Sequence, residues 1–181
     1  MAFQRAGDFE RALYHYKALL ARNDLNVVAH NNLGLLYQER GFMMEATDEF
    51  KRAIELDPRN VQAHNNLGVA LLRTGRFESA TEEFQSALRL DPRNVESMVN
   101  LALGLKARTR LDEARGMLTR ALALDPGNAS AHYNLALLYD EAGERARAID
   151  HYGRFLANAG PAHARLARDV RERLDALTAR R

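Results

Sequence analysis

Residues 31–60 read NNLGLLYQERGFMMEATDEFKRAIELDPRN, and residues 65–94 read NNLGVALLRTGRFESATEEFQSALRLDPRN. The two stretches are one pattern displaced by 34 positions. The same step separates Asp57-Pro58, Asp91-Pro92 and Asp125-Pro126, each followed by Asn60, Asn94 or Asn128 two residues after the proline. Asn26 holds that phase one period earlier. A strict period of this length marks a repeat array, in which each unit is a supersecondary element that cannot bury its apolar face alone.

With position 1 at Val27, Val61, Val95 and Ala129, the columns align. Position 7 is Leu33, Leu67, Leu101 and Leu135; position 8 is Gly34, Gly68, Ala102 and Ala136; position 11 is Tyr37, Leu71, Leu105 and Tyr139. Position 20 is always alanine (Ala46, Ala80, Ala114, Ala148), and position 24 is Phe50, Phe84, Leu118 and Tyr152. Columns 4, 7, 8 and 11, and again 17, 20, 24 and 28, keep the i, i+3, i+4 spacing of two amphipathic helices. The small residues at 8 and 20 allow the two helices to approach closely. Gly41, Gly75 and Gly143 at position 15 supply the turn between them. The residue before each proline is pushed out of the α region, which ends the second helix, and the asparagine that follows is a good N-cap for the next first helix.

The Leu-Gly at 7–8, the aromatic at 11, the alanine at 20, the aromatic at 24 and the proline at 32 resemble the signature of the tetratricopeptide repeat. Four full units cover residues 27–60, 61–94, 95–128 and 129–162. The resemblance implies an all-α, right-handed superhelical α-solenoid of antiparallel helix pairs, with the first helix of each pair lining a concave face. Residues 1–26 read as a partial repeat: the last turn of a first helix, with Phe3 at position 11, and a complete second helix with Gly7, Phe9, Ala12 and Tyr16 at positions 15, 17, 20 and 24. Residues 163–181 read as a C-terminal capping helix with Leu166, Val170, Leu174 and Leu177 on one face, covering the edge of the last unit. Phe155 replaces the alanine found at position 27 elsewhere (Ala53, Ala87, Ala121) and is expected against that helix. On the outer face of the second helices, Asp48–Arg52 and Asp150–Arg154 are spaced i, i+4 and are expected to pair.

Composition excludes several function classes. Apolar residues are 46% of the 181 and charged residues 28%, the balance of a packed protein and not of a disordered one. The absence of cysteine removes disulfide scaffolds, thiol catalysis and iron–sulfur ligation. A net charge of +2 lacks the excess expected of a nucleic-acid binder, so no nucleic acid is expected as a partner. Arg5, Asp8, Glu10, Arg11 and Lys17 interrupt any apolar signal stretch, and a cytoplasmic location is expected. The six arginines of the terminal segment exceed Asp169, Glu172 and Asp175 by three, yet a solvated cap is expected there, not a membrane surface.

No Gly-rich phosphate loop, H-E-x-x-H or nucleophile elbow is present, and neither catalysis nor a cofactor is expected. His30, His64 and His132 recur at position 4. One period apart means roughly 8–10 Å or more between neighbouring packed helices. That gap is too wide for one zinc with bonds of ~2 Å, so half-buried structural rings are expected and no metal.

The other side of the first helix carries positions 2, 6, 9 and 13. Position 6 is asparagine four times (Asn32, Asn66, Asn100, Asn134), and position 9 is apolar four times (Leu35, Val69, Leu103, Leu137). Stacked repeats turn these columns into parallel stripes. A carboxamide both donates and accepts, so such a row can pair with the main chain of an extended peptide while the apolar row holds side chains. Asn31 and Asn65 at position 5 extend the row. The column is similar to the asparagine ladder in the repeat arm of O-linked N-acetylglucosamine transferase, which implies main-chain recognition. The chaperone carboxylate clamp needs cations at positions 2, 5 and 6, and these are missing.

Three readings follow. One is a non-catalytic adaptor that binds an extended peptide segment of a partner. Another is the substrate-presenting arm of a larger glycosyltransferase-like enzyme, against which the basic capping helix argues. The last is a homo-oligomer formed through Phe3, Phe9, Leu13 and Tyr16 of the incomplete first repeat. Within the array, Thr109 replaces the turn glycine and Gly116 lies mid-helix at a cost of ~1 kcal/mol relative to alanine. Residues 95–128 are therefore expected to be the softest unit; amide hydrogen exchange should show its lowest protection there, and the highest protection there would contradict the reading.

Overall fold

A computed structural model of the chain describes residues 9–179, and all regular structure among them is helical. The helices are α1 (Phe9–Arg22), α2 (Val27–Glu39), α3 (Met43–Leu56), α4 (Val61–Arg73), α5 (Phe77–Leu90), α6 (Val95–Ala107), α7 (Leu111–Leu124), α8 (Ala129–Glu141), α9 (Arg145–Asn158) and α10 (Ala164–Ala179), with a 3₁₀ turn at Pro161–His163. The chain divides into two compact units, Met1–Asn100 and Leu101–Arg181.

Each first helix starts as the sequence predicts. The side chains of Asn26, Asn60 and Asn128 accept the backbone N–H of Ala29, Ala63 and Ala131 at 2.9, 3.0 and 2.9 Å. Asn94 does the same for Ser97 at 2.8 Å. These bonds satisfy one of the orphan amides at each helix start. Each first helix ends in a Schellman turn, in which the N–H of Phe42, Arg76, Arg110 or Glu144 reaches back five residues to a carbonyl at 2.8–3.0 Å. That turn needs a left-handed residue, and Gly41, Gly75 and Gly143 supply it with φ of 83°, 76° and 73°. Thr109 makes the same turn at φ 59°, the only non-glycine residue with positive φ among those described, at a cost of roughly 1–2 kcal/mol.

In the first unit α1 packs on α2, α2 on α3, α3 on α4 and α4 on α5. The alanines of column 20 and the phenylalanines of column 24 are fully enclosed. A Cβ built on Gly34 would lie 2.5 Å from the ring of Phe50, and one on Gly68 would lie 2.5 Å from Phe84. Glycine at 34 and at 68 is thus required by contact with the ring. Phe9 and Leu13 are half-buried against Ala12, Tyr16, Ala29, Leu33 and Leu36. Phe3 and Gly7 lie outside the described residues. The buried Tyr16 hydroxyl has no hydrogen-bond partner among the described residues, and burial pushes it above its ordinary pKa. Arg52 departs from the i, i+4 spacing that points it at Asp48. It donates instead to Asp24 at 2.9 Å and Glu55 at 3.1 Å, two carboxylates that flank it and together outcompete one.

In the second unit α7 packs on α8, α8 on α9 and α9 on α10. Arg154 keeps its i, i+4 partner and donates to Asp150 at 2.9 Å. Phe155 is fully buried in one cluster with Ala167 and Val170 of α10, and Leu166, Leu174 and Leu177 pack against that cluster. A polar clamp ties the same helix down. Arg173 donates through Nε and Nη2 to both oxygens of Asp140, each at 2.7 Å, and the Tyr152 hydroxyl donates to Asp140 at 3.1 Å. The guanidinium holds the Asp140 carboxyl below its ordinary range, and burial beside Asp140 pushes the Tyr152 hydroxyl well up. Arg145 donates to the Leu177 carbonyl.

Two glycine substitutions should move stability in opposite directions. Nothing lies within 4 Å of the place a methyl group on Gly116 would take, so Gly116→Ala should stabilise by ~1 kcal/mol. Gly68→Ala should destabilise by roughly 1–3 kcal/mol, because the Phe84 ring is enclosed and cannot retreat. Urea denaturation of the two variants checks both signs.

Candidate functional site

In the first unit, residues of α2, α4 and α6 line a pocket of about 290 Å³. Five of the residues singled out from sequence meet in its wall: Asn31, Asn32, Leu35, Asn65 and Asn66. Val61, Gln62, Asn94 and Glu96 complete it. Asn32, Asn66 and Asn100 are half-buried, as are Leu35 and Val69.

The two asparagines of column 5 differ in burial from those of column 6. Asn31 is 8% exposed and Asn65 only 5%. Both sit where neighbouring first helices meet, and each holds a column-6 amide of the next period. Asn66 Nδ2 donates to Asn31 Oδ1 at 2.9 Å, and Asn100 Nδ2 donates to Asn65 Oδ1 at 3.1 Å. Asn65 Oδ1 also accepts from Ser97 Oγ at 3.1 Å, and its Nδ2 donates to Glu96 Oε1 at 3.1 Å. The carboxylate can only accept, so it fixes which end of the Asn65 amide is nitrogen and hence the sense of the chain of bonds. Each held column-6 amide spends one N–H on this contact and keeps its carbonyl oxygen and second N–H.

In the second unit Leu103 and Leu137 are half-buried. Asn134 is half-buried as well, and its Nδ2 donates to the Ser130 carbonyl of its own helix at 2.8 Å. Lys106 and Glu141 form an ion pair at 2.6 Å.

The recurring histidines are connectors. His30 reaches Glu49 Oε2 at 2.6 Å and the Asp24 carbonyl at 3.0 Å; His64 reaches Glu83 Oε2 at 2.7 Å and the Pro58 carbonyl at 3.1 Å. The two nitrogens of each ring face oxygens on two different elements. Each ring thereby ties a helix pair to the connection that precedes it. His132 keeps the carbonyl contact, to Pro126 at 3.0 Å, but meets His151 in place of a carboxylate, nitrogen to nitrogen at 3.0 Å. Burial and the neighbouring His132 lower the His151 pKa. No group of three or more His, Asp or Glu that could hold a metal ion occurs among the described residues.

Gln62 and Glu96 are wall residues that the column pattern alone does not single out. They stand at position 2, one helical turn before column 6, where the sequence shows only that a cation is missing. The partners of the histidines, at column 23, are likewise visible only in the folded chain.

Models of the tetratricopeptide repeat match residues 1–41, 31–95 and 105–170. No curated protein matches the sequence. Among solved structures, the chain is similar to PilW, described as a widely conserved type IV pilus biogenesis factor, at 20% identity over 100% of this chain and 91% of that one, with a TM-score of 0.83. It is similar to MamA of Desulfovibrio magneticus RS-1 at 18% identity over 87% of this chain and 89% of that one, with a TM-score of 0.78. It is also similar to YrrB, described as a TPR protein with an unusual peptide-binding site, at 23% identity over 94% of this chain and 87% of that one, with a TM-score of 0.71.

The buried amide predicts a graded cost. Asn65→Ala strips partners from Glu96, Ser97 and Asn100 together and should destabilise by roughly 1–3 kcal/mol. Asn31→Ala strips only the bond to Asn66 and should cost less. Thermal denaturation of the two variants compares them directly.

Proposed function

The chain belongs to the tetratricopeptide repeat family, and from that premise we propose that it is a non-catalytic adaptor whose first helices hold an extended peptide segment of a partner protein. The observation that carries this reading is the amide-lined pocket of the first unit. Asn31, Asn32, Asn65 and Asn66 converge there with Leu35, and the column-5 asparagines hold their column-6 neighbours in one orientation. An extended chain offers alternating N–H and C=O groups, and preset carboxamides can pair with both without reading side chains. The half-buried Leu35 and Val69 give aliphatic side chains a surface beside them. Asn100, Asn134, Leu103 and Leu137 continue the same columns of sequence. Peptide binding by YrrB, a similar fold, is consistent with such a role.

The test compares wild type with a variant carrying alanine at Asn32, Asn66, Asn100 and Asn134, both shown to fold by circular dichroism. Each lost amide bond costs roughly 0.5–1.5 kcal/mol, so a bound partner segment should be held at least about tenfold more weakly by the variant. Equal retention by both proteins would move binding to another surface.

A further inference from the structure

We infer that the segment taken by this groove carries a basic side chain, lysine or arginine, seated against Glu96; the inference rests on the peptide-groove reading above. The pocket wall is built of neutral groups with one exception. Its carboxamides have no net charge, Leu35 and Val61 are aliphatic, and Glu96 is the single ionisable residue among those that line it. No lysine or arginine stands in the wall to neutralise that carboxylate.

The carboxylate is also positioned. Glu96 lies in the first turn of α6, where the helix dipole favours an anion. Its Oε1 accepts from the buried Asn65 amide at 3.1 Å, which anchors the side chain to the inter-repeat network. Its Oε2 has no partner among the described residues. A cationic group can therefore dock without displacing an existing bond, while an acidic side chain would meet like charge. Leu35 and Val61 suit the methylene stem that a lysine or arginine brings with its charge. One period earlier the same column is Gln62, which is neutral, so the preference is for one basic residue at the α6 end and not for a basic run.

The experiment selects random octapeptides on three proteins: wild type, Glu96→Gln and the four-alanine ladder variant. Glutamine keeps an acceptor for Asn65, so Glu96→Gln retains the network and should melt only slightly below wild type, having lost the charge that the helix dipole favours. An exposed ion pair is weak, so peptides retained by wild type should be enriched in lysine and arginine over glutamine by about threefold, and this should fade at high salt. Glu96→Gln should retain peptides without that enrichment. Ladder-dependent retention with no basic enrichment, or enrichment unchanged by Glu96→Gln, overturns the inference and leaves the groove reading standing. Failure to retain any peptide, or retention indifferent to the ladder variant, overturns both.

Discussion

Where Phe50 lies against Gly34 and Phe84 against Gly68, a ring occupies the space that any Cβ would need. That contact sets how closely the two helices of a pair approach. It occurs in two successive helix pairs, so within the first unit it also fixes how those pairs stack. The rest follows from this spacing. The asparagine caps start the first helices in register, the left-handed glycines turn the chain back within three residues, and the enclosed alanines of column 20 let the rings seat. Columns 8 and 24 hold glycine with phenylalanine twice, then alanine with leucine and alanine with tyrosine.

First helices held at that distance bring column 5 of one against column 6 of the next. A lone buried carboxamide would be costly, and the neighbours remove the cost by bonding it. Asn65 is the fullest case, with bonds to Glu96, Ser97 and Asn100. The same bonds restrict the rotamers of Asn66, which faces the pocket, and of Asn100 in the next helix. A peptide that binds them meets groups already ordered, which lowers the entropic cost of association. Stability and recognition thus share one network in the first unit.

Much of this was legible in the sequence because it obeys local rules. An asparagine after Asp-Pro caps a helix wherever it stands, and a glycine at position 15 takes positive φ whatever surrounds it. Column periodicity likewise marked the core. The illegible part depends on neighbours that a single helix does not reveal. Position 5 lies at the margin of the helical wheel, and only the adjacent first helix decides that Asn31 and Asn65 are buried. The histidine connectors join residues 19 apart on two helices, although the columns carried a trace: position 23 is Glu49, Glu83, Met117 and His151 where position 4 is His30, His64, Met98 and His132. Arg52 chose Asp24 and Glu55 over Asp48 for a reason that only the folded connection supplies.

The central claim is that preset column-6 amides meet the main chain of a partner segment. Side-chain amide resonances of nitrogen-15 labelled protein, followed while an extended peptide is titrated in, test it most directly. The account predicts that the Asn32, Asn66 and Asn100 side-chain signals shift together, while those of Asn60, a helix cap, and Asn158, at the end of α9, stay in place. Shifts confined to residues outside the column, with Asn66 and Asn100 unmoved at saturation, would contradict it.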